Sequence, residues 1–411
     1  MFTRSIFLTC FLFFCFTLSV FVFLLCFDFK PVDQYKLEKV VLLSRHNLRT
    51  PLSKNLKKLT PQTWPQWTEK PGYLTEKGFI LEGYMGTFFK NWLDTKGLLS
   101  SDCPDENEFY VYANNVQRTM ASAQAFVTNT FPNCNVTVHH SNENYDPIFS
   151  PYIHNDTEIF KKLALDEMSA LLQNMDLKTQ YETLEHILDF QASDLCKLEK
   201  KCDMDGEENI IDIVVGSKPI LKGPLKLSNE AIDAFLMEYY SGFSLDNVAW
   251  GQLSQTNEWQ AILPISQSYH NIIFNISIIA KDISFPLLKY MSKILINDDK
   301  KVSLLMGHDA NINVVLNAME FKPFVLENEF VNTPIGGKVI FQKWFDVHNK
   351  EYLLKIQYVY QSAEQLRNAT VLNEDNPPLF KDLELNKCPV NEDGFCSWDV
   401  FVDFLNSIGV L

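Results

Sequence analysis

At 411 residues, 46% of them hydrophobic and 21% charged, the chain can bury a substantial core as one large or two ordinary domains, which excludes a disordered protein. Its 36 Lys and Arg against 51 Asp and Glu leave a net charge of −15, which excludes nucleic acid as a partner because such proteins carry a basic footprint. Any anion bound here must be held by a few clustered cations inside a repelling field.

Residues 1–30 carry Arg4 and then an apolar run from Ser5 to Phe27. That run exceeds the roughly 7 to 15 residues of a secretory apolar region and approaches the about 20 that span a bilayer. It reads as an export signal that is either cleaved or retained as a membrane anchor. Cys10, Cys15 and Cys26 fall inside it. The remaining six cysteines, Cys103, Cys134, Cys196, Cys202, Cys388 and Cys396, form an even set, and in an exported chain that points to disulfides. Sequential pairing is the simplest connectivity, with the others open. No C-x-x-C pair occurs, so a zinc site is not expected.

Residues 31–150 read as the first part of an α/β core. The apolar run Val40-Val41-Leu42-Leu43 predicts a buried strand. It ends in Ser44-Arg45-His46-Asn47-Leu48-Arg49-Thr50-Pro51, and strand ends are where open α/β sheets place their ligands. Two guanidinium forks flanking an imidazole suit a phosphate dianion. Residues 60–67, rich in Pro and Trp, read as a loop walling the pocket. Thr75 then caps a helix whose Phe79, Tyr84, Phe88 and Trp92 are expected to face the core. A second strand, Glu108–Ala113, leads to a helix with the stripe Met120, Ala123, Phe126 and Val127. Arg118 lies near that strand-to-helix junction, where first-turn N–H groups favour anions.

Residues 151–279 change texture. The amphipathic stretches Glu158–Met175, Gln180–Phe190 and Ser228–Tyr240 predict a mostly helical inserted domain holding Cys196 and Cys202, while Ile210–Gly216 is ambiguous. Residues 280–411 return to the core with a helix near Ile283–Ile296 and a strand Val302–Gly307. That strand runs into His308-Asp309 and a further helix. Pro334–Phe341 and Tyr352–Tyr360 read as paired strands, and the tail ends in the amphipathic stretch Ser397–Ile408.

Each of these histidines and arginines alone is an ordinary core or surface residue. Together, three strand ends deliver Arg45, His46 and Arg49, then Arg118, then His308 and Asp309, and that repetition argues for one site. A phosphomonoester needs a nucleophile, charge stabilisation and a proton for its leaving alcohol. His46 is the candidate nucleophile and Asp309 the candidate general acid. Arg45, Arg49, Arg118 and His308 are the candidate phosphate ligands. This chemistry requires no metal and no cofactor.

Arg45-His46-x-x-Arg49-x-Pro51 resembles the R-H-G-x-R-x-P signature of the histidine acid phosphatases, branch 2 of the histidine phosphatase superfamily, with Asn47 where most members carry Gly. Gly307-His308-Asp309 resembles their H-D motif. The likeness extends through Pro132–Val136, Gly223–Lys226, Thr333–Lys338 and Gln361–Asn368, covering nearly everything after Tyr35. It implies an α/β fold with a phosphoglycerate-mutase-like mixed-sheet core flanked by helices, and a helical domain inserted over the site. It also implies a secreted, periplasmic acid phosphomonoesterase working through a phosphohistidine, with Arg118 as an additional phosphate-binding arginine. Asn47 points to the bacterial sugar-phosphate branch, so glucose 1-phosphate is the implied substrate. A phytase or broad-specificity phosphatase is the alternative, and a non-catalytic phosphosugar-binding protein a more distant one. The implied partner is thus a small phosphomonoester; oligomeric state is left open.

Overall fold

The computed structural model describes residues 34–411; the expected export segment, with Cys10, Cys15 and Cys26, lies outside the described residues. In chain order, β1 (Tyr35–Arg45), α1 (Glu76–Thr95), β2 (Phe109–Ala113), α2 (Gln117–Thr130) and β3 (Val138–His139) come first. A largely helical stretch follows, with α3 (Glu158–Gln173), α4 (Lys178–Leu188), a hairpin of β4 (Ile210–Asp212) and β5 (Ile220–Lys222), α5 (Pro224–Ser241) and α6 (Leu263–Phe274). The chain then forms α7 (Ser277–Ser292), β6 (Val302–Gly307), α8 (Asp309–Ala318), β7 (Lys338–Asp346), β8 (Glu351–Tyr360), β9 (Leu379–Leu383), β10 (Cys396–Ser397) and α9 (Trp398–Ser407).

The main sheet has the order β10-β8-β7-β1-β6-β2-β3, with β9 also pairing to β8. The β1, β6, β2 and β3 neighbours are parallel, whereas β7 and β8 continue the sheet antiparallel. This is the mixed α/β sheet expected from the sequence. Val40, Val41, Leu42 and Leu43 are all essentially inaccessible. Alternate residues of β1 enter different apolar clusters: Val41 and Leu43 pack toward the helices that lie between β3 and β6 in the chain, Val40 and Leu42 toward α1 and α2. A strand covered on both faces needs an unbroken apolar run, which is what β1 carries. The register aligns Arg45 with Gly307 and Ala113 with Met306. The carboxyl ends of β1, β6 and β2 therefore reach one edge together.

The expected core face of α1 is corrected. Phe79 is exposed and Tyr84, Phe88 and Trp92 are half-buried, while Leu81, Met85, Phe89 and Leu93 face the core with Gly83 and Gly86 between them. A Cβ on Gly86 would lie 2.4 Å from the Phe126 carbonyl oxygen, and one on Gly83 2.6 Å from Asn129 Nδ2. The contact face is thus a glycine seam that lets α2 approach closely. A search for apolar periodicity cannot see it, because glycine has no side chain to count.

Other details shift less. Ile210–Gly216 resolves into β4, paired antiparallel with β5. The helix expected from Ile283 already begins at Ser277 and continues through Pro286. The Pro- and Trp-rich loop is not among the residues walling the cleft described below. Trp64 instead stacks on Phe235 at 5.2 Å and meets Trp250 edge-on, so this loop braces α5 from behind. Disulfides join Cys103 to Cys134, Cys196 to Cys202 and Cys388 to Cys396, the sequential pairing. Such bonds persist in oxidising compartments, consistent with export. Among the described residues, no single helix is long and apolar enough to cross a membrane.

Candidate active site

At the shared edge of β1, β6 and β2, one cleft is lined by Arg45, His46, Arg49, Arg118, His308 and Asp309. The cleft encloses about 290 Å³. Its opposite wall comes from the stretch between β3 and β6, with Lys218, Asn229, Glu230, Asp233, Tyr240 and His270 among its residues.

The ends of the parallel strands hold the loop backbone. His46 N–H donates to the Gly307 carbonyl at 2.9 Å, and Asn114 N–H to the Met306 carbonyl at 2.9 Å. The loop after β1 also starts the next helix: Thr75 N–H donates to the Leu48 carbonyl at 2.9 Å, while Thr75 Oγ1 accepts from Gly78 N–H at 3.0 Å as the α1 cap. His46 itself is 2% exposed. Its Nδ1 lies 2.8 Å from the Asn47 carbonyl oxygen. A carbonyl only accepts, so Nδ1 carries the hydrogen and Nε2 keeps its lone pair.

His308 is held on both ring nitrogens. Its Nδ1 accepts from the Arg118 guanidinium at 3.3 Å, and Nε2–H donates to Asn114 Oδ1 at 2.9 Å. The His308 and His46 rings meet edge-on at 5.3 Å. Burial, then the Arg118 and Lys218 charges, holds His308 well below the ordinary imidazole range. Burial likewise comes first for His46, followed by Arg118, His308, Arg45 and Arg49, and it too lies well below that range. Both rings are therefore neutral in mild acid.

Among the arginines, Arg45 approaches Asp309 Oδ2 at 3.4 Å and donates to the Thr333 carbonyl. Arg49 makes a two-pronged contact with Asp233 on α5, at 3.0 and 2.9 Å. Arg118 is lowered to about 10, by burial and then by Arg49, and so stays charged at any relevant pH. Asp309 opens α8, where its Oδ1 accepts from Ala310 N–H at 2.8 Å. Burial pushes its carboxyl up, but the Arg45 guanidinium beside it outweighs that and holds it well below the usual carboxylate range. The helix N-terminus favours the anion further.

Behind the loop lies a second, dry network. Asn47 Nδ2 donates to Glu82 Oε2 at 2.9 Å, and Asn47 Oδ1 accepts from Leu48 N–H at 2.8 Å. Lys338 Nζ donates to Glu82 Oε1 and to the Gly336 carbonyl, each at 2.8 Å. Gly336 N–H returns to the His46 carbonyl at 3.1 Å. Asn47, Glu82 and Lys338 are all fully buried. Gly336 adopts φ +66°, and a Cβ there would sit 2.4 Å from Asn47 Nδ2. Asn47 therefore faces away from the cleft and anchors the loop that presents His46.

Asp233, Asn114, Glu82, Lys338 and Lys218 escaped the sequence reading. Asp233 and Glu82 sit on amphipathic helices, where a lone acid looks like solvated surface. Lys338 heads the strand run Val339-Ile340-Phe341, and a lysine leading into so apolar a segment was the one available signal.

A model of the histidine phosphatase superfamily (branch 2) matches residues 36–360. The chain is 42% identical over 375 residues to a glucose-1-phosphatase of Providencia rettgeri, covering 89% of this chain and 90% of that protein. It is 40% identical over 384 residues to a glucose-1-phosphatase of Salmonella typhimurium, covering 91% and 93%. Among solved structures, the apo form of a Hafnia alvei phytase superposes with a TM-score of 0.84 at 27% identity, covering 92% of this chain and 98% of that one.

Proposed function

The chain belongs to branch 2 of the histidine phosphatase superfamily, and from that premise we propose that it hydrolyses glucose 1-phosphate to glucose and phosphate, with His46 as nucleophile and Asp309 as proton carrier. The observation that carries this reading is the convergence of three guanidinium groups, a neutral imidazole and a carboxylate on one cleft.

Arg45, Arg49 and Arg118 bind the phosphate oxygens; His308, expected as a fourth phosphate ligand, has both ring nitrogens engaged by Arg118 and Asn114 and serves instead to orient Arg118. Their charges compensate the substrate's before reaction, so little reorganisation is needed as the phosphoryl group becomes trigonal. His46 Nε2 attacks phosphorus; the N–P bond forms as the P–O bond to glucose breaks. The departing oxygen takes a proton from Asp309. In the second half, water attacks the phosphohistidine, the N–P bond breaks, and the Asp309 carboxylate takes the water's proton and passes it to the departing phosphate, so that His46 is free and Asp309 ionised again.

Asp309 starts this cycle ionised against Arg45. A bound phosphate competes for Arg45 and adds negative charge beside the carboxylate, and both effects raise its proton affinity. In mild acid a phosphomonoester still carries one proton, because its second pKa is about 6. That proton is the source for Asp309.

Exchanging Asp309 for Asn is expected to lower kcat for sugar phosphates by about 10²- to 10⁴-fold, the usual range for a general acid. The loss should be smaller for aryl phosphates, whose leaving groups need little protonation. An equal loss on both, measured as steady-state kcat, would contradict the role of Asp309.

The pH profile supplies a second check. Depression of His46 means that lowering pH through 6.5 does not protonate the nucleophile. The acid limb of kcat/KM is therefore expected well below pH 6.5. A limb at 6.5 would mean that the imidazole titrates freely.

The identity to glucose-1-phosphatases supports the sugar phosphate over inositol hexakisphosphate. So does the cleft volume of about 290 Å³, at the small end of ligand sites. The fold likeness to a phytase favours the second reading. A competition assay of glucose 1-phosphate against inositol hexakisphosphate, with labelled phosphate trapped on the protein, tests both: the label should be acid-labile and absent when His46 is replaced. The disulfides support action in the periplasm or beyond.

A further inference from the structure

The cations of the cleft are not equivalent. Arg45, Arg49 and Lys226 each face a carboxylate, at 3.4 Å from Asp309, 2.9 Å from Asp233 and 3.2 Å from Glu230. Arg118 leans on the His308 ring. Lys218 has no ion pair with any described carboxylate, yet it lines the same cleft and is solvent-accessible there.

Its position is built. Lys218 lies in the loop between β4 and β5, which reaches over the cleft from the stretch between β3 and β6. The loop is fastened on both sides of Ile153: Ile153 N–H donates to the Ser217 carbonyl and Gly216 N–H to the Ile153 carbonyl, each at 2.9 Å. The ammonium stands close enough for its charge to act on Arg118, His308 and Asp309. In a chain of net charge −15, an uncompensated lysine beside a cluster of guanidinium groups opposes its own neighbours unless an anion joins them.

One phosphoryl group is already matched by Arg45, Arg49 and Arg118. We propose that Lys218 forms a second-anion subsite, so that the cleft favours a sugar phosphate bearing a further anionic group over the same sugar with one phosphate. This rests on the phosphatase reading above and narrows its substrate class. Lys226 does not supply this charge, because Glu230 already holds it.

The test compares kcat/KM for glucose 1-phosphate and glucose 1,6-bisphosphate, which present the same anomeric phosphate, in the full chain and in Lys218→Ala, Lys218→Glu and Lys218→Arg. Phenyl and salicyl phosphate form a sugar-free pair differing by one carboxylate. The ratio of second-anion to single-anion substrate should fall about tenfold in Lys218→Ala, as expected for one charge-assisted contact worth about 1.4 kcal/mol. It should fall further in Lys218→Glu and return with Lys218→Arg. An unchanged ratio in both pairs, or equal losses on both substrates of a pair, overturns the subsite. Failure to hydrolyse glucose 1-phosphate with aryl turnover intact overturns the sugar reading alone, and the aryl pair still decides on Lys218.

Discussion

Replacing His46 with Ala is expected to lower kcat by roughly 10⁵-fold on both glucose 1-phosphate and an aryl phosphate, while the protein still folds. Removing the nucleophile of a covalent mechanism typically costs about as much as removing the whole catalytic constellation, because the remaining groups have no N–P bond to stabilise. The three arginines would still bind phosphate, so inorganic phosphate should remain a competitive ligand of the variant. Folding should survive because His46 contributes no paired charge to the core: its ring is neutral and its one hydrogen bond runs to the adjacent Asn47 carbonyl. Thermal melting beside the kinetics separates the two effects. Turnover within tenfold of the parent in a folded variant would rule out the phosphohistidine route.

The second large effect concerns stability. Glu82→Ala is expected to destabilise the fold by about 3–5 kcal/mol, because it leaves the Lys338 ammonium buried without a counter-charge. The pair is closed from solvent on both sides, with 0% exposure of either side chain at a 2.8 Å separation. Lys338→Met should cost a comparable amount by stranding the carboxylate. The double variant Glu82→Leu, Lys338→Met should recover much of the loss, since replacing both charges by apolar groups removes the desolvation penalty of each. Urea unfolding midpoints measure this. Losses that simply add would show that the two residues do not act as a pair. In the single variants kcat should fall as well, because Glu82 also holds the Asn47 amide beneath His46.

Much of this molecule is legible in one dimension because its central strands are buried on both faces. Val40–Leu43 and Val302–Met306 must be nearly continuous apolar runs to lie in the sheet interior. The polar residues that follow them are conspicuous by contrast. That contrast located Arg45, His46, Arg49, His308 and Asp309, and β2 did the same for Arg118. Local pattern therefore suggested the fold class and gathered these six residues at strand ends, while their expected roles came from the resemblance to the histidine acid phosphatases.

What local pattern could not supply was any partner brought in from a distance. The α1 core face was misread because glycines, not large apolar side chains, make the seam with α2. Asp233 reaches Arg49 across 184 residues of chain, and Glu82 reaches Lys338 across 256. Asn47 stood out in the motif as the departure from glycine, and tertiary structure turned that departure inward, onto Glu82 rather than toward substrate. The sequence by itself determined which strand ends carry the arginines, the histidines and the carboxylate that meet in the cleft. Only the tertiary structure decided which charges are already paired and which, like Lys218, face no carboxylate among the described residues, because compensation depends on separations of about 3 to 4 Å between segments whose order along the chain says nothing about their distance in space.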